Sequence, residues 1–319
     1  MLVAILLMAV VLISLGFTFW VKSYALNHLL DIPTHRSSHH QPTPRGGGLA
    51  IVMTFLFSVL QCFFNDLLDF RLLCVFMVGL VIAIIGFWDD HQHIAALWRL
   101  TVHISSAIIV IFLLQDFSLI RGFFGVFFLV WILNLFNFMD GIDGIAGSEA
   151  LFVSASLAGF MWFVNTDMAW LGATLAASSL GFLILNWPPA KIFMGDVGSG
   201  FLGFILGILI LVYSQVSPVF FVIGLTLFSV FITDATYTLL TRVLTGEKWH
   251  QAHCAHAFQH AAKQFGHLRV ILAIWVINLF WVLPVAFMVF LKPEYGYSGM
   301  LAVYTPLIFL AYKFNAGRQ

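Results

Sequence analysis

The 319-residue chain carries little charge: Asp, Glu, Lys and Arg make up 9% of it, where a soluble globular domain carries about 25%. Basic and acidic residues balance at 14 each, and no nucleic-acid partner is expected. Cysteine is scarce. Cys62, Cys74 and Cys254 show no metal-type spacing, and no obligatory disulfide is expected, although Cys62 and Cys74 flank one short loop. Several signatures are missing as well. There is no H-E-x-x-H and no D-x-[DN]-x-[DN]-G of an EF-hand, and no G-K-[ST] follows the glycines at 46–48 as a Walker loop requires. Asp140-Gly141 is not followed by Ala-Arg, which speaks against a CDP-alcohol phosphotransferase. No basic residue precedes the first apolar run and no small-residue cleavage site ends it, so a retained span is expected rather than a signal peptide.

Apolar residues are abundant instead. They form 61% of the chain, and the mean hydropathy is +1.01. Runs of about 20 residues, long enough to cross the hydrocarbon core as helices, recur from end to end. They fall at about 1–21, 47–64, 70–88, 99–115, 119–137, 147–164, 168–185, 200–215, 218–241, 269–291 and 299–313. The reading is an all-α, polytopic transmembrane helical bundle of about eleven spans, one domain over residues 1–319. One set of loops holds Lys22, Arg36, Arg45, Arg99, Lys191, Arg242, Lys248, Lys263, Arg269, Lys313 and Arg318; the other holds only Arg71, Arg121 and Lys292. The positive-inside rule puts the first set in the cytoplasm, with the N-terminus outside and the C-terminus inside. The cytoplasmic loops are then about 22–46, 89–98, 138–146, 186–199 and 242–268. Histidine did not enter that assignment, yet eleven of the twelve lie in or beside these loops, and His103 lies one turn into a span.

The acids gather on the same face. Asp89 and Asp90 end the third span in GFWDDHQHI; Asn137, Asp140 and Asp143 end the fifth in NFMDGIDGIAGSEA; Asp196 follows in NWPPAKIFMGDVGSG. Five converging carboxylates repel one another unless a cation sits among them, and hard oxygen donors suit Mg²⁺ or Mn²⁺. Residues three apart stack on a helix, which sets Asn137, Asp140 and Asp143 in one row. In HRSSHHQPTPRGGG, Arg36 and Arg45 beside a glycine-rich backbone suit anionic oxygens, through guanidinium forks or amide nests. The alternative for that loop is a basic segment attracted to anionic lipid. His253, His256 and His260 fall on one helical face, suited to phosphate, with a zinc site or an incidental polar loop helix as the alternatives. Asp234 and Arg242 share a face of the ninth span, as an ion pair or as a wall of the site.

In order along nearly the whole chain stand DIPTHRSSHHQPTPRGGG, DD, NFMDGIDGIAG, NWPPAKIFMGDVGSG, D-x-x-x-x-L-L-x-R at 234–242 and a histidine loop. This series resembles the polyprenyl-phosphate N-acetylhexosamine-1-phosphate transferases, the MraY/WecA-like superfamily of glycosyltransferase family 4. DGIDGIAGSEA and AHCAHAFQ look most like its WbpL-like, O-antigen-initiating branch. The resemblance implies a core of ten spans plus one C-terminal, and a Mg-dependent transfer of sugar-1-phosphate from a UDP-N-acetyl sugar to undecaprenyl phosphate, with release of UMP. It implies a bacterial inner-membrane protein with a cytoplasmic active site, and leaves a homodimer open. By position, Asn137 and Asp196 resemble metal ligands, Asp89 the base or nucleophile with Asp90 beside it, and Asp140 and Asp143 walls of the same cleft. Phe193 resembles the aromatic that stacks on uracil, Asn186 the amide near the nucleoside, and Arg99 a phosphate-contacting cation. Arg36, Arg45 and Arg242 are substrate-binding candidates. His253 and His256 resemble the histidine motif, here His-x-x-His rather than a contiguous triplet. DD is not followed by the lysine of the muropeptide-transferring members. A reading from another class is a cation- or proton-coupled transporter, since intramembrane acids mark ion paths. Transporters place such acids near the midplane within internal repeats, and no repeat is found here.

Overall fold

The computed structural model describes residues 2–33, 41–114, 118–247 and 254–318. It is helical apart from one two-stranded pairing. Helix α1 (Leu2–His28) leads into strand β1 (Leu30–Asp31), which pairs antiparallel with β2 (Thr43–Pro44) in the register Leu30↔Pro44. There follow α2 (Leu49–Phe64), α3 (Phe70–Met77) and α4 (Gly79–His91), α5 (Ala96–Leu114), α6 (Leu119–Met139), α7 (Ile145–Trp162), α8 (Thr166–Asn186) and α9 (Asp196–Val216). Next come α10 (Val219–Leu227), α11 (Ser229–Leu244), the short α12 (Ala257–Phe265) and α13 (His267–Ile277). A π-helical turn at Asn278–Val282 joins α13 to α14 (Leu283–Leu291), and α15 (Gly296–Lys313) ends the bundle.

Every one of the eleven expected apolar segments is helical. Among the described residues, eight helices are long and apolar enough to cross a membrane, nine if α10 and α11, bent by 68°, make one span. The difference from eleven lies at α2, which has only 16 residues, and at α15, which is not among the eight.

Helix α9 is the axis of the bundle. Residues 197–210 are all buried, packed against α4 and α6. At the opposite extreme, α1 hides only Ser14, Thr18, Val21 and Ala25, a stripe at helical spacing, and Ser14 Oγ donates to the Ser178 carbonyl of α8 (2.6 Å). Elsewhere the surface is apolar, with Phe112, Phe123, Phe127 and Phe280 all exposed. Such an exterior suits hydrocarbon, where all backbone bonds must close within helices.

Glycine sets the closest crossing. A Cβ on Gly48 would lie 2.2 Å from Gly198 Cα, so the starts of α2 and α9 meet backbone to backbone. The neighbouring amides finish the junction. Gly47 N donates to the Phe193 carbonyl (2.9 Å), Gly48 N to that of Met194 (2.8 Å), and Phe193 N to that of Pro44 (2.8 Å). The amide nest expected of the glycine run therefore does not form at residues 47 and 48, whose donors tie two loops together.

Candidate active site

The loops at one end of the bundle enclose a cavity of about 290 Å³. Its wall includes Asn137, Asp140 and Asp143 from the end of α6 and the loop after it, Asn186 from the end of α8, and Phe193 and Asp196 from the approach to α9. Arg45 and Asp90 complete it on one side. Residues as far apart in sequence as Asp31 and Gln259 thus meet in one wall. Arg36 and His253 lie outside the described residues.

Asp89 and Asp90, adjacent in sequence, do different things. Asp90 is turned into the protein, its side chain 1% exposed. One oxygen accepts from Asp196 N (3.0 Å) and the other from Val197 N (3.1 Å), so Asp90 caps α9 from another helix. Arg45 holds it in turn, with Nε 3.3 Å from Oδ1 and Nη2 donating to the Asp90 carbonyl (2.8 Å). Gly195 makes room for this contact: its φ is +77°, and a Cβ there would come within 2.6 Å of Asp90 Oδ2. With both oxygens accepting from amides, Asp90 is held in place at the start of α9.

Asp89 faces a second cavity, of about 310 Å³, with His28, His91, His93, Asp31 and Arg45. Its Oδ1 accepts from Ile94 N (2.8 Å), and its Oδ2 pairs with Arg99 Nη1. The same Arg99 nitrogen stands 3.6 Å from Asp196 Oδ2, so the guanidinium links the acid of one cavity to that of the other. The two cavities share Asp31, Arg45 and Asp90 in their walls.

Asn137 Oδ1 accepts from Ser199 Oγ (3.0 Å). Asp143 accepts from Ala190 N (3.0 Å) and lies 3.4 Å from His267 Nδ1. Asn186 braces the site: its Oδ1 accepts from Gly144 N (3.1 Å) and its Nδ2 donates to the Ile192 carbonyl (2.9 Å). Withdrawal from solvent, and then the charges of Asp196, Asp90 and Asp143, push Asp140 up to about 8. A cation would relieve that strain directly. No three His, Cys, Asp or Glu side chains among the described residues sit closely enough to hold a metal unaided. The oxygen donors present, Asn137, Asp140 and Asp196, nonetheless suit Mg²⁺, which takes one or two carboxylates and fills its shell with water and substrate phosphate.

Two candidates are placed elsewhere. Arg242, 3% exposed, pairs with Glu247 (2.5 Å) and lines neither cavity. Asp234 does not meet it, but accepts from His256 Nδ1 (3.2 Å), Ala257 N (3.0 Å) and Phe258 N (2.9 Å), so it caps α12 as Asp90 caps α9. His256 is buried against Asp234 and is absent from both cavity walls. Sequence reasoning missed Asp31 and Gln259, both in the main wall. Asp31 opens the stretch DIPTHRSSHHQPTPRGGG, where attention went to the arginines and glycines instead; Gln259 lies three residues after His256, a capping-box spacing.

The architecture is that of a helical protein built for a membrane, with an acidic, phosphate-suited cleft at one end. Comparison with known proteins sharpens this. The model of the family "Glycosyl transferase family 4" matches residues 72–214. The chain is 30% identical over 275 residues to a probable undecaprenyl-phosphate N-acetylglucosaminyl 1-phosphate transferase of Bacillus subtilis, covering 78% of this chain and 74% of the relative. It is 29% identical to a phospho-N-acetylmuramoyl-pentapeptide-transferase of Petrotoga mobilis (76% and 82% covered). It is 30% identical to a decaprenyl-phosphate N-acetylglucosaminephosphotransferase of Mycolicibacterium smegmatis (60% and 55% covered). The chain belongs to glycosyl transferase family 4. All three relatives are transferases by name, and the transporter reading gains nothing from them.

Proposed function

We propose that this protein transfers N-acetylhexosamine-1-phosphate from a UDP-sugar to undecaprenyl phosphate, releasing UMP, at the cytoplasmic face of the bacterial inner membrane. The observation that carries the reading is the convergence of Asn137, Asp140, Asp143 and Asp196 with Phe193 in one cavity. Oxygen donors suit a metal-bound diphosphate, and an aromatic suits a base. Mg²⁺, or Mn²⁺ in its place, supplies charge neutralisation at the phosphates when bound by Asn137 and Asp196. The chain's own residues do the rest. Phe193 stacks on uracil, and Arg99, already bridging Asp89 and Asp196, offsets charge between the two cavities. An oxygen of the acceptor phosphate attacks the β-phosphorus, the bond from that phosphorus to the bridging oxygen breaks, and UMP leaves with the oxygen. Asp89 takes the proton of a singly ionised acceptor. Its place in the wall of the second cavity favours this part over that of a nucleophile on the diphosphate.

Phosphoryl transfer is largely positioning plus electrostatics, which fits a cleft so rich in fixed charges. Initiation of O-antigen or a related envelope glycan is part of the proposal; the relatives divide between N-acetylglucosaminyl and muramoyl-pentapeptide transferases by name and do not separate the branches. The test uses purified protein with undecaprenyl phosphate, Mg²⁺ and a panel of UDP-sugars, scored for UMP. Well-folded protein that releases none with any sugar would sink the reading.

A further inference from the structure

The donor sugar's acetamido group distinguishes it from a plain hexose, and away from the metal its carbonyl oxygen is recognised by a hydrogen-bond donor. The main cavity offers few. Its acidic wall residues Asp31, Asp140, Asp143 and Asp196 accept when ionised, Asn186 Nδ2 already donates to the Ile192 carbonyl, Arg45 is tied to Asp90, and Asn137 is assigned above to the metal.

Gln259 stands apart. It is the one residue of α12 in that wall. Its amide orientation follows from chemistry. His256 N donates to Gln259 Oε1 (3.2 Å), and an NH₂ group could not accept that bond. Nε2 must therefore face the other way, toward Gly141, where an added Cβ would stand 2.8 Å from it. The amide is held on a braced support. Asp234 caps α12, Gly317 N donates to the Ala255 carbonyl (2.7 Å) just before that helix, and Phe258 packs over Gly141.

We propose that Gln259 is a specificity-determining residue: its Nε2–H donates to the acetamido carbonyl of the donor sugar and so selects N-acetylhexosamines over hexoses. The inference rests on the transferase reading. It also accounts for the capping box, which fixes the amide donor-side inward before any ligand arrives.

The test measures kcat/KM for UDP-N-acetylglucosamine and UDP-N-acetylgalactosamine against UDP-glucose and UDP-galactose. Gln259→Glu is the informative change, because a carboxylate still accepts from His256 N while the inward donor becomes an acceptor. In that variant the preference for the better acetamido sugar over its hexose counterpart is expected to fall by about tenfold, the worth of one hydrogen bond. Gln259→Met, of similar length without the amide, is expected to lower the preference in the same direction. A preference that stays unchanged, or an equal fall for both members of the pair, overturns the assignment and leaves Gln259 as a cap alone. Wild-type protein that turns over none of the four sugars counts against the transferase reading itself. Wild-type protein that turns over acetamido and plain sugars equally counts against Gln259 only.

Discussion

Asp90 gives the sharpest test of how the site is built. Its two oxygens accept from Asp196 N and Val197 N at 3.0 and 3.1 Å inside the protein, with Arg45 Nε at 3.3 Å. Asp90→Ala leaves two amides at the start of α9 without their acceptor and Arg45 without its counter-charge. A lost cap costs about 1 kcal/mol, and hydrogen bonds to a charged partner about 1.5–3 kcal/mol each. These contributions overlap, so a total of about 3 kcal/mol is a fair expectation, and on the order of 5 °C in the midpoint of thermal unfolding in detergent. Asp90→Asn keeps one acceptor oxygen and turns an NH₂ toward the other amide, so it is expected to fall between. Activity should follow the displacement of Asp196, with the apparent affinity for Mg²⁺ weakened in both variants. The reasoning fails if Asp90→Ala abolishes UMP release while leaving both the unfolding midpoint and Mg²⁺ affinity at wild-type values. That result would make Asp90 a group that reacts.

Asp196→Asn keeps the capped backbone and removes one anionic donor; turnover should drop at least a hundredfold with the unfolding midpoint little changed, and retained activity would take Asp196 out of the metal site. Phe193→Ala should raise KM for the UDP-sugar about tenfold, in line with a stacked base worth about 1–3 kcal/mol, while KM for undecaprenyl phosphate stays put; an unchanged nucleotide KM refutes the stacking role. Asp140 supplies a pH dependence. Its folded value, about 8, lies above the ordinary 3.8, so its contribution to stability is full below pH 3.8 and is lost as the pH rises through 8. Metal-free protein should therefore lose stability across that window, Mg²⁺ should stabilise it more at pH 8.5 than at pH 6, and Asp140→Asn should flatten both trends. A Mg²⁺ effect that does not grow with pH would contradict this.

Much of this was legible in the residues. Long apolar runs interrupted by short polar ones give helices whatever the tertiary packing, and all eleven segments are helical. Acids at the ends of those runs converge because the bundle brings helix ends to one surface, so Asn137, Asp140, Asp143 and Asp196 meet. Side-chain direction was not legible. Asp89 and Asp90 are neighbours on a helix, about 100° apart around its axis, and only the packing of α4 on α9 decides which one reaches the first amides of α9. Arg242 was placed with Asp234 by spacing alone, yet Glu247, in the turn after α11, reaches it instead. The run at 46–48 looked like a phosphate nest because glycine serves close approach of any kind; here the approach is that of Gly198.

A physical reason connects the two capping acids. The first amides of a helix have no partner within it, and where water is scarce each must find an acceptor or carry a desolvation cost. α9 begins with Asp196, and α12 begins beside His256 and carries Gln259. Neither takes its side-chain acceptor for those first amides only from its own preceding residues: α9 uses Asp90 of α4, and α12 uses Asp234 of α11. Satisfying those amides fixes where each helix starts relative to another helix of the bundle. The side chains facing the cleft are carried by the same first turns, so their spacing is set by the hydrogen bonds that make the fold tolerable in a membrane. Shifting either cap should therefore move the chemistry and the stability together, whereas Asp140 and Phe193, whose side chains cap neither α9 nor α12, should move the chemistry with far less effect on the fold.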